Sequence, residues 1–149
     1  TTGAYHFMSF ESPGVDQAKN YIKTVPKEKD SLPPVVDFEY YGKFEKNHPS
    51  QETVDKILKP LLKKLKDHYG KDPIIYVNSN MYKKYISGKY KNRIWLADLK
   101  APKKLPDGRS WEFLQYSFNS KLTKYAGGIP HLDLNVFRGS RFSFAAKYL

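Results

Sequence analysis

Cysteine is absent from the 149-residue chain. Its absence excludes disulfides, thiolate-held zinc and a cysteine nucleophile. Acidic residues are scarce: 15 Asp and Glu stand against 26 Lys and Arg, a formal net charge of +11. A chain this basic is expected to meet an anionic partner, be it nucleic acid, an acidic membrane or an anionic polymer. Long apolar runs are missing, so no membrane span is predicted. The first residues, Thr-Thr-Gly-Ala-Tyr-His-Phe, lack the basic region and apolar stretch of a signal peptide, which leaves the compartment open. Repeats and low-complexity stretches are absent. The four histidines, His6, His48, His68 and His131, show no metal-ligand spacing. No Gly-x-Ser-x-Gly elbow, phosphate loop or dinucleotide fingerprint occurs. Neither a metal nor a cofactor is expected.

What is present suits one domain over residues 1–149. Hydrophobic residues make up 40% of the chain, enough for a core. Runs rich in β-branched and aromatic residues alternate with helical patterns. Gly3 to Ser9 reads as a strand. Ser12-Pro13 reads as a helix start, with Ser12 as N-cap and Pro13 in the first helical position. Pro34 to Tyr40 is a second strand. Pro49-Ser50 opens a long helix, in which Val54, Ile57, Leu58, Leu61, Leu62, Leu65 and Tyr69 make one apolar stripe. Pro60 is expected to bend that helix and Gly70 to stop it. Strands follow at Pro73–Asn78 and Arg93–Asp98, with a short helix between them at Ser79–Ile86. Two more strands lie at Trp111–Ser117 and Leu132–Phe137. Strands alternating with helices imply parallel pairing, and functional groups then collect at the C-terminal ends of the strands.

The run Val35-Val36-Asp37-Phe38-Glu39-Tyr40-Tyr41 has two acids where a parallel strand normally prefers apolar residues. Alternation puts Val35, Asp37 and Glu39 on one face and Val36, Phe38 and Tyr40 on the other. Repulsion and partial desolvation would raise the pKa of one carboxyl, and a carboxyl held protonated near neutral pH can act as a general acid. Cleavage of a glycosidic bond needs such a group. The same acids read equally well as solvated groups at a strand mouth. A third acid, Asp133, lies in a strand expected to be largely buried. It reads either as a site residue or as a structural Asp bonded to the preceding Gly127-Gly128 loop. Tyr5, Phe7, Tyr76, Trp95, Trp111, Phe113 and Tyr116 all fall in predicted strands. Each reads as core or, at a strand end, as the lining of a carbohydrate cleft, and Tyr40-Tyr41 offers a pair to stack on sugar. The lysines are spread along the chain without interleaved aromatics, so nucleic acid is not the expected partner.

At these residues the sequence resembles glycoside hydrolase family 25, the Chalaropsis-type lysozymes. The segments that carry the likeness are Gly3-Ala4-Tyr5-His6-Phe7 and Leu32 through Glu39, followed by Tyr69-Gly70 with Pro73-Ile74-Ile75-Tyr76. Ile94-Trp95-Leu96-Ala97, Gln115-Tyr116-Ser117 and Asp133-Leu134-Asn135-Val136-Phe137 complete the series. The resemblance implies an irregular, TIM-like β/α barrel and cleavage of the β-1,4 bond between N-acetylmuramic acid and N-acetylglucosamine in peptidoglycan. It implies Glu39 as general acid, Asp37 acting on the substrate's 2-acetamido group and Asp133 as a further acid at the cleft. Tyr5, Tyr76, Trp95 and Gln115 would lie near the sugar, and Phe7, Tyr41 and Tyr116 complete the expected substrate contacts. A secreted or wall-released protein follows from the same likeness.

The family pattern begins with earlier strands, so the chain is expected to form a barrel incomplete at its N-terminus, with an open edge available for association. Leu114 stands where the family usually has Trp, and Asp98 is atypical. The alternatives are a non-catalytic wall-binding barrel remnant and a chitinase-like hydrolase. Val35, at the first position of a D-x-D-x-E pattern, counts against the latter.

Overall fold

The computed structural model describes residues 2–121 and 131–149. Its elements are β1 (Tyr5–Phe7), α1 (Gly14–Thr24), β2 (Val35–Phe38), α2 (Gln51–Tyr69), β3 (Ile74–Asn78) and α3 (Ser79–Met81). After α3 come a π-helical turn at Tyr82–Ile86, β4 (Ile94–Ala97), β5 (Phe113–Ser120), β6 (Leu132–Phe137) and α4 (Arg141–Tyr148). The strands form one six-stranded sheet in chain order, curled as an incomplete β/α barrel. The pairs from β1 to β5 are parallel, and β6 returns antiparallel to β5.

Alternation decides which face each residue serves. Val36, Phe38, Ile75, Val77, Ile94, Leu96 and Leu114 turn outward and are buried in the main core. The apolar stripe of α2 covers them, together with Ala18 and Tyr21 of α1. Residues of the other parity turn inward. Phe7, Asp37, Tyr76, Trp95, Phe113 and Phe137 are register partners across all six strands. That inner row forms the floor of the half-barrel.

The caps follow local chemistry. The Ser50 hydroxyl accepts from Thr53 N at 3.1 Å and starts α2. Gly70 ends α2 in the left-handed region at φ 69°, with its N–H on Lys66 O at 2.8 Å. The start of α1 differs from expectation. Pro13 occupies the N-cap position, and no side chain caps the helix. Ser12 instead turns its carbonyl to the Gln17 amide at 2.8 Å. The β4–β5 connection has no helix, yet the two strands pair in parallel. Leu105 and Trp111 from this connection are buried in the core and fill the space a crossover helix would occupy. Trp111 therefore lies outside the strand expected for it. A further helix that the sequence pattern does not announce, α4, packs its Phe144 and Tyr148 on Phe113 and Phe137.

Close packing of α1 on α2 depends on Gly14. A Cβ there would lie 1.9 Å from the carbonyl oxygen of Ile57 and 3.1 Å from Leu61 N. Both obstacles are backbone atoms of a regular helix, so neither can swing aside. Gly14→Ala is expected to destabilise the fold by about 3 kcal/mol, at the upper end of overpacking costs. Urea denaturation should show a lower midpoint with an unchanged slope.

Candidate active site

The acids are brought together by strand geometry. β2 ends at Phe38, one residue before Glu39. Asp37 thus lies on the inner face of the last strand turn, and Glu39 lies just past the strand end. Asp133 is the second residue of the antiparallel β6, so it enters from the same end of the sheet. Asp37, Glu39 and Asp133 line one cleft of ≈ 260 Å³, walled by Tyr5, Val35, Tyr76, Trp95, Gln115 and Asn135. The aromatic wall is ordered by edge contacts. Tyr76 meets Trp95 edge-on at 5.6 Å, and Trp95 lies 5.7 Å from Phe113 at a tilt of 47°.

Electrostatics distinguish the acids. Burial pushes the Asp37 carboxyl up to about 7, and the charge of Glu39 adds to the rise. Glu39 is also raised, by burial first and then by the charge of Asp133. Asp37 Oδ1 is a buried acceptor with no hydrogen-bond partner among the described residues. An orphaned acceptor of this kind costs stability. The Tyr76 phenol is held well above its ordinary pKa by burial and by the charges of Glu39, Asp37 and Asp133. It stays protonated near neutral pH and keeps an O–H to donate. Among the described residues, no cluster of three or more His, Asp or Glu side chains is placed to hold a metal ion.

Seven of the ten site residues expected from the sequence line this cleft: Asp37, Glu39, Asp133, Tyr5, Tyr76, Trp95 and Gln115. Three do not. The Tyr41 hydroxyl is tied to Phe10 N at 2.9 Å and Ser9 Oγ at 3.1 Å, and its ring stacks on Phe10. Phe7 sits edge-on against Tyr41 at 5.6 Å. Tyr116 follows Gln115 on β5, so alternation sends it to the opposite face, where it is exposed. Tyr40 is likewise engaged, stacked on His48 at 4.2 Å with its hydroxyl on Tyr85. The expectation that β6 is largely buried is also corrected. It is an edge strand of the sheet and Asp133 is exposed. The Gly127-Gly128 loop lies outside the described residues. Leu114 points into the helix-covered core. Asp98 bonds Ser79 Oγ and Lys100 N outside the cleft lining. Asn135 was not anticipated, although its parity with Asp133 on β6 was the available signal.

The family model described as "Glycosyl hydrolases family 25" matches residues 1–124. A family 25 glycosyl hydrolase from Bacillus anthracis superposes with a TM-score of 0.90 at 40% identity, covering 98% of this chain and 68% of that one. A bacterial lysozyme from Streptomyces coelicolor shares the fold with a TM-score of 0.76 at 23% identity, over 98% of this chain and 71% of that chain. The Escherichia coli K12 protein YegX is 31% identical over 140 residues, which are 93% of this chain. The chain spans about half the length of the curated relatives it matches, 48% in this case.

Proposed function

The chain belongs to glycosyl hydrolases family 25, and from that premise we propose that it is a muramidase cleaving the β-1,4 bond between N-acetylmuramic acid and N-acetylglucosamine in peptidoglycan. One observation carries the reading: two adjacent carboxyls with raised proton affinity share an aromatic-walled cleft with a third acid. In this reading Glu39 is the general acid and donates its proton to the glycosidic oxygen as the C1–O bond breaks. The substrate's own acetamido oxygen closes on C1, and the Asp37 carboxylate accepts the acetamido N–H. That contact favours the ionised form of Asp37, and the new negative charge beside Glu39 keeps the proton on Glu39. Water then opens the cyclic intermediate, with Glu39 taking back a proton, and configuration is retained. Substrate assistance of this kind replaces the opposed nucleophile of the usual two-carboxylate scheme.

Asp133, across the cleft, adds negative charge that favours the developing positive charge at C1. Tyr5, Tyr76, Trp95 and Gln115 contact the sugars. The anionic wall polymer suits a chain of net charge +11 and a site of action at the cell wall. No described helix is long and apolar enough to cross a membrane.

The test is a reducing-end assay on purified peptidoglycan. The expected result is release of reducing N-acetylmuramic acid ends. Binding without release would instead mark a wall-binding module. Turnover of chitin oligomers alone would mark a chitinase-like enzyme. Either result overturns the muramidase reading.

A further inference from the structure

We propose that Asn135 is a positioning residue that fixes the Trp95 indole as the sugar platform of the cleft and itself offers an amide N–H to the bound glycan. This deepens the muramidase reading and rests on it. The indole Nε1–H of Trp95 donates to Asn135 Oδ1 at 2.8 Å. Trp95 is on β4 and Asn135 on β6, with β5 lying between them. Adjacent strands are about 4.8 Å apart, so the bond bridges roughly 10 Å of sheet. An indole held at that reach extends over β5 toward β6, and it lines the open cleft.

Its neighbours reinforce that orientation. Tyr76 abuts it edge-on on one side and Phe113 packs on the other. Trp95 and Asn135 also form part of a second, apolar groove of ≈ 320 Å³ that adjoins the acidic cleft. The locked indole is therefore the partition between the two hollows. A ring free to rotate would merge them and leave a sugar without a defined floor.

The amide of Asn135 has only one orientation compatible with this bond. Indole N–H is a donor only, so the amide oxygen must face Trp95. The NH₂ group then faces away from the indole, and Asn135 is exposed, so its N–H donors are open to solvent or to a ligand in the cleft. Two N–H donors at the wall of a carbohydrate cleft suit a sugar hydroxyl or an acyl carbonyl. Asn135 touches the cleft that Asp133 enters two residues earlier on the same strand face, so both act on one bound glycan.

The test combines kinetics with a signal from the indole itself. The chain has two tryptophans, so a ¹⁵N–¹H spectrum contains two indole N–H resonances, and Trp95→Phe identifies the one at issue. In Asn135→Ala the Trp95 indole N–H is expected to shift and to lose protection from hydrogen exchange. KM for peptidoglycan fragments should rise about tenfold, the worth of a hydrogen bond together with a loosened platform, with a smaller fall in kcat. Asn135→Asp keeps the acceptor for the indole and loses both N–H donors. It should retain the protected resonance yet still show a raised KM. A KM for Asn135→Ala within twofold of the parent chain would overturn the proposal, as would an unmoved indole resonance. A lower melting temperature without a change in KM would also overturn it, because that is what a purely structural Asn135 would give. A parent chain that does not cleave wall glycan sinks the muramidase reading, whether or not it binds. A parent that does both while Asn135→Ala matches it sinks only the Asn135 assignment.

Discussion

Glu39→Gln is expected to lower release of reducing ends from peptidoglycan by about 10³-fold while the protein stays folded. The magnitude lies in the middle of the range for removing a general acid. Gln is close to isosteric with Glu and keeps a hydrogen-bonding head group, but it has no proton to give to the leaving sugar oxygen. The Glu39 side chain is half-buried, and its raised proton affinity belongs to the unbound cleft rather than to a structural contact. Circular dichroism should therefore match the parent chain, and the melting temperature near neutral pH should not fall below it, because the amide also escapes the burial penalty of the ionised carboxyl. The identity of the leaving group sharpens the test. An aryl glycoside with a nitrophenolate leaving group departs without protonation, so the same substitution should cost far less on that substrate. Equal losses on both substrates would assign Glu39 to binding or to intermediate formation rather than to proton donation. Activity on peptidoglycan within tenfold of the parent would remove Glu39 from the mechanism altogether.

Features set by local chemistry were legible in the sequence. Alternation in Val35–Phe38 assigned Asp37 to the face opposite Val36 and Phe38, and the structure has those two fully buried. Ser50 and Gly70 marked the ends of α2 because capping uses atoms within one helical turn. Features set by distant partners were not legible. Tyr41 looked like a sugar contact, yet its hydroxyl is claimed by Phe10 N, 31 residues away in sequence. Tyr116 shared a short motif with Gln115, but neighbours on a strand face opposite ways. The helix α4 escaped notice because it is only eight residues long and its stability comes from Phe144 and Tyr148 docking on β5 and β6. The carboxylates followed from period-two alternation, whereas the aromatic wall depended on how the sheet curls. Register partners in five strand pairs had to be known before Trp95 and Asn135 could be placed together.

Asp37→Asn is expected to stabilise the protein at pH 8 and to leave its stability unchanged below pH 4. In the folded chain burial, with the nearby charge of Glu39, lifts the Asp37 carboxyl from 3.8 to about 7. Between those values the folded state holds a proton that the unfolded chain has already released. Stability therefore falls as pH rises from about 4, and the full penalty is present above about 7. Below the unfolded pKa both states are protonated and the penalty disappears. The nominal linkage, discounted for partial solvent exposure, is about 2 kcal/mol. For a chain of this size that is roughly 5 °C in melting temperature. A carboxamide cannot ionise, so the variant escapes the penalty. Melting curves taken from pH 4 to pH 8 should show the difference between variant and parent opening steadily through this window. A constant difference at every pH would mean that the substitution acts through packing instead. Activity should move the other way, because the amide no longer supplies the anionic acceptor for the acetamido N–H. Gain in stability at the pH where turnover is lost would identify Asp37 as a charge held in the cleft at the expense of the fold, which is the behaviour expected of an acid that serves the substrate.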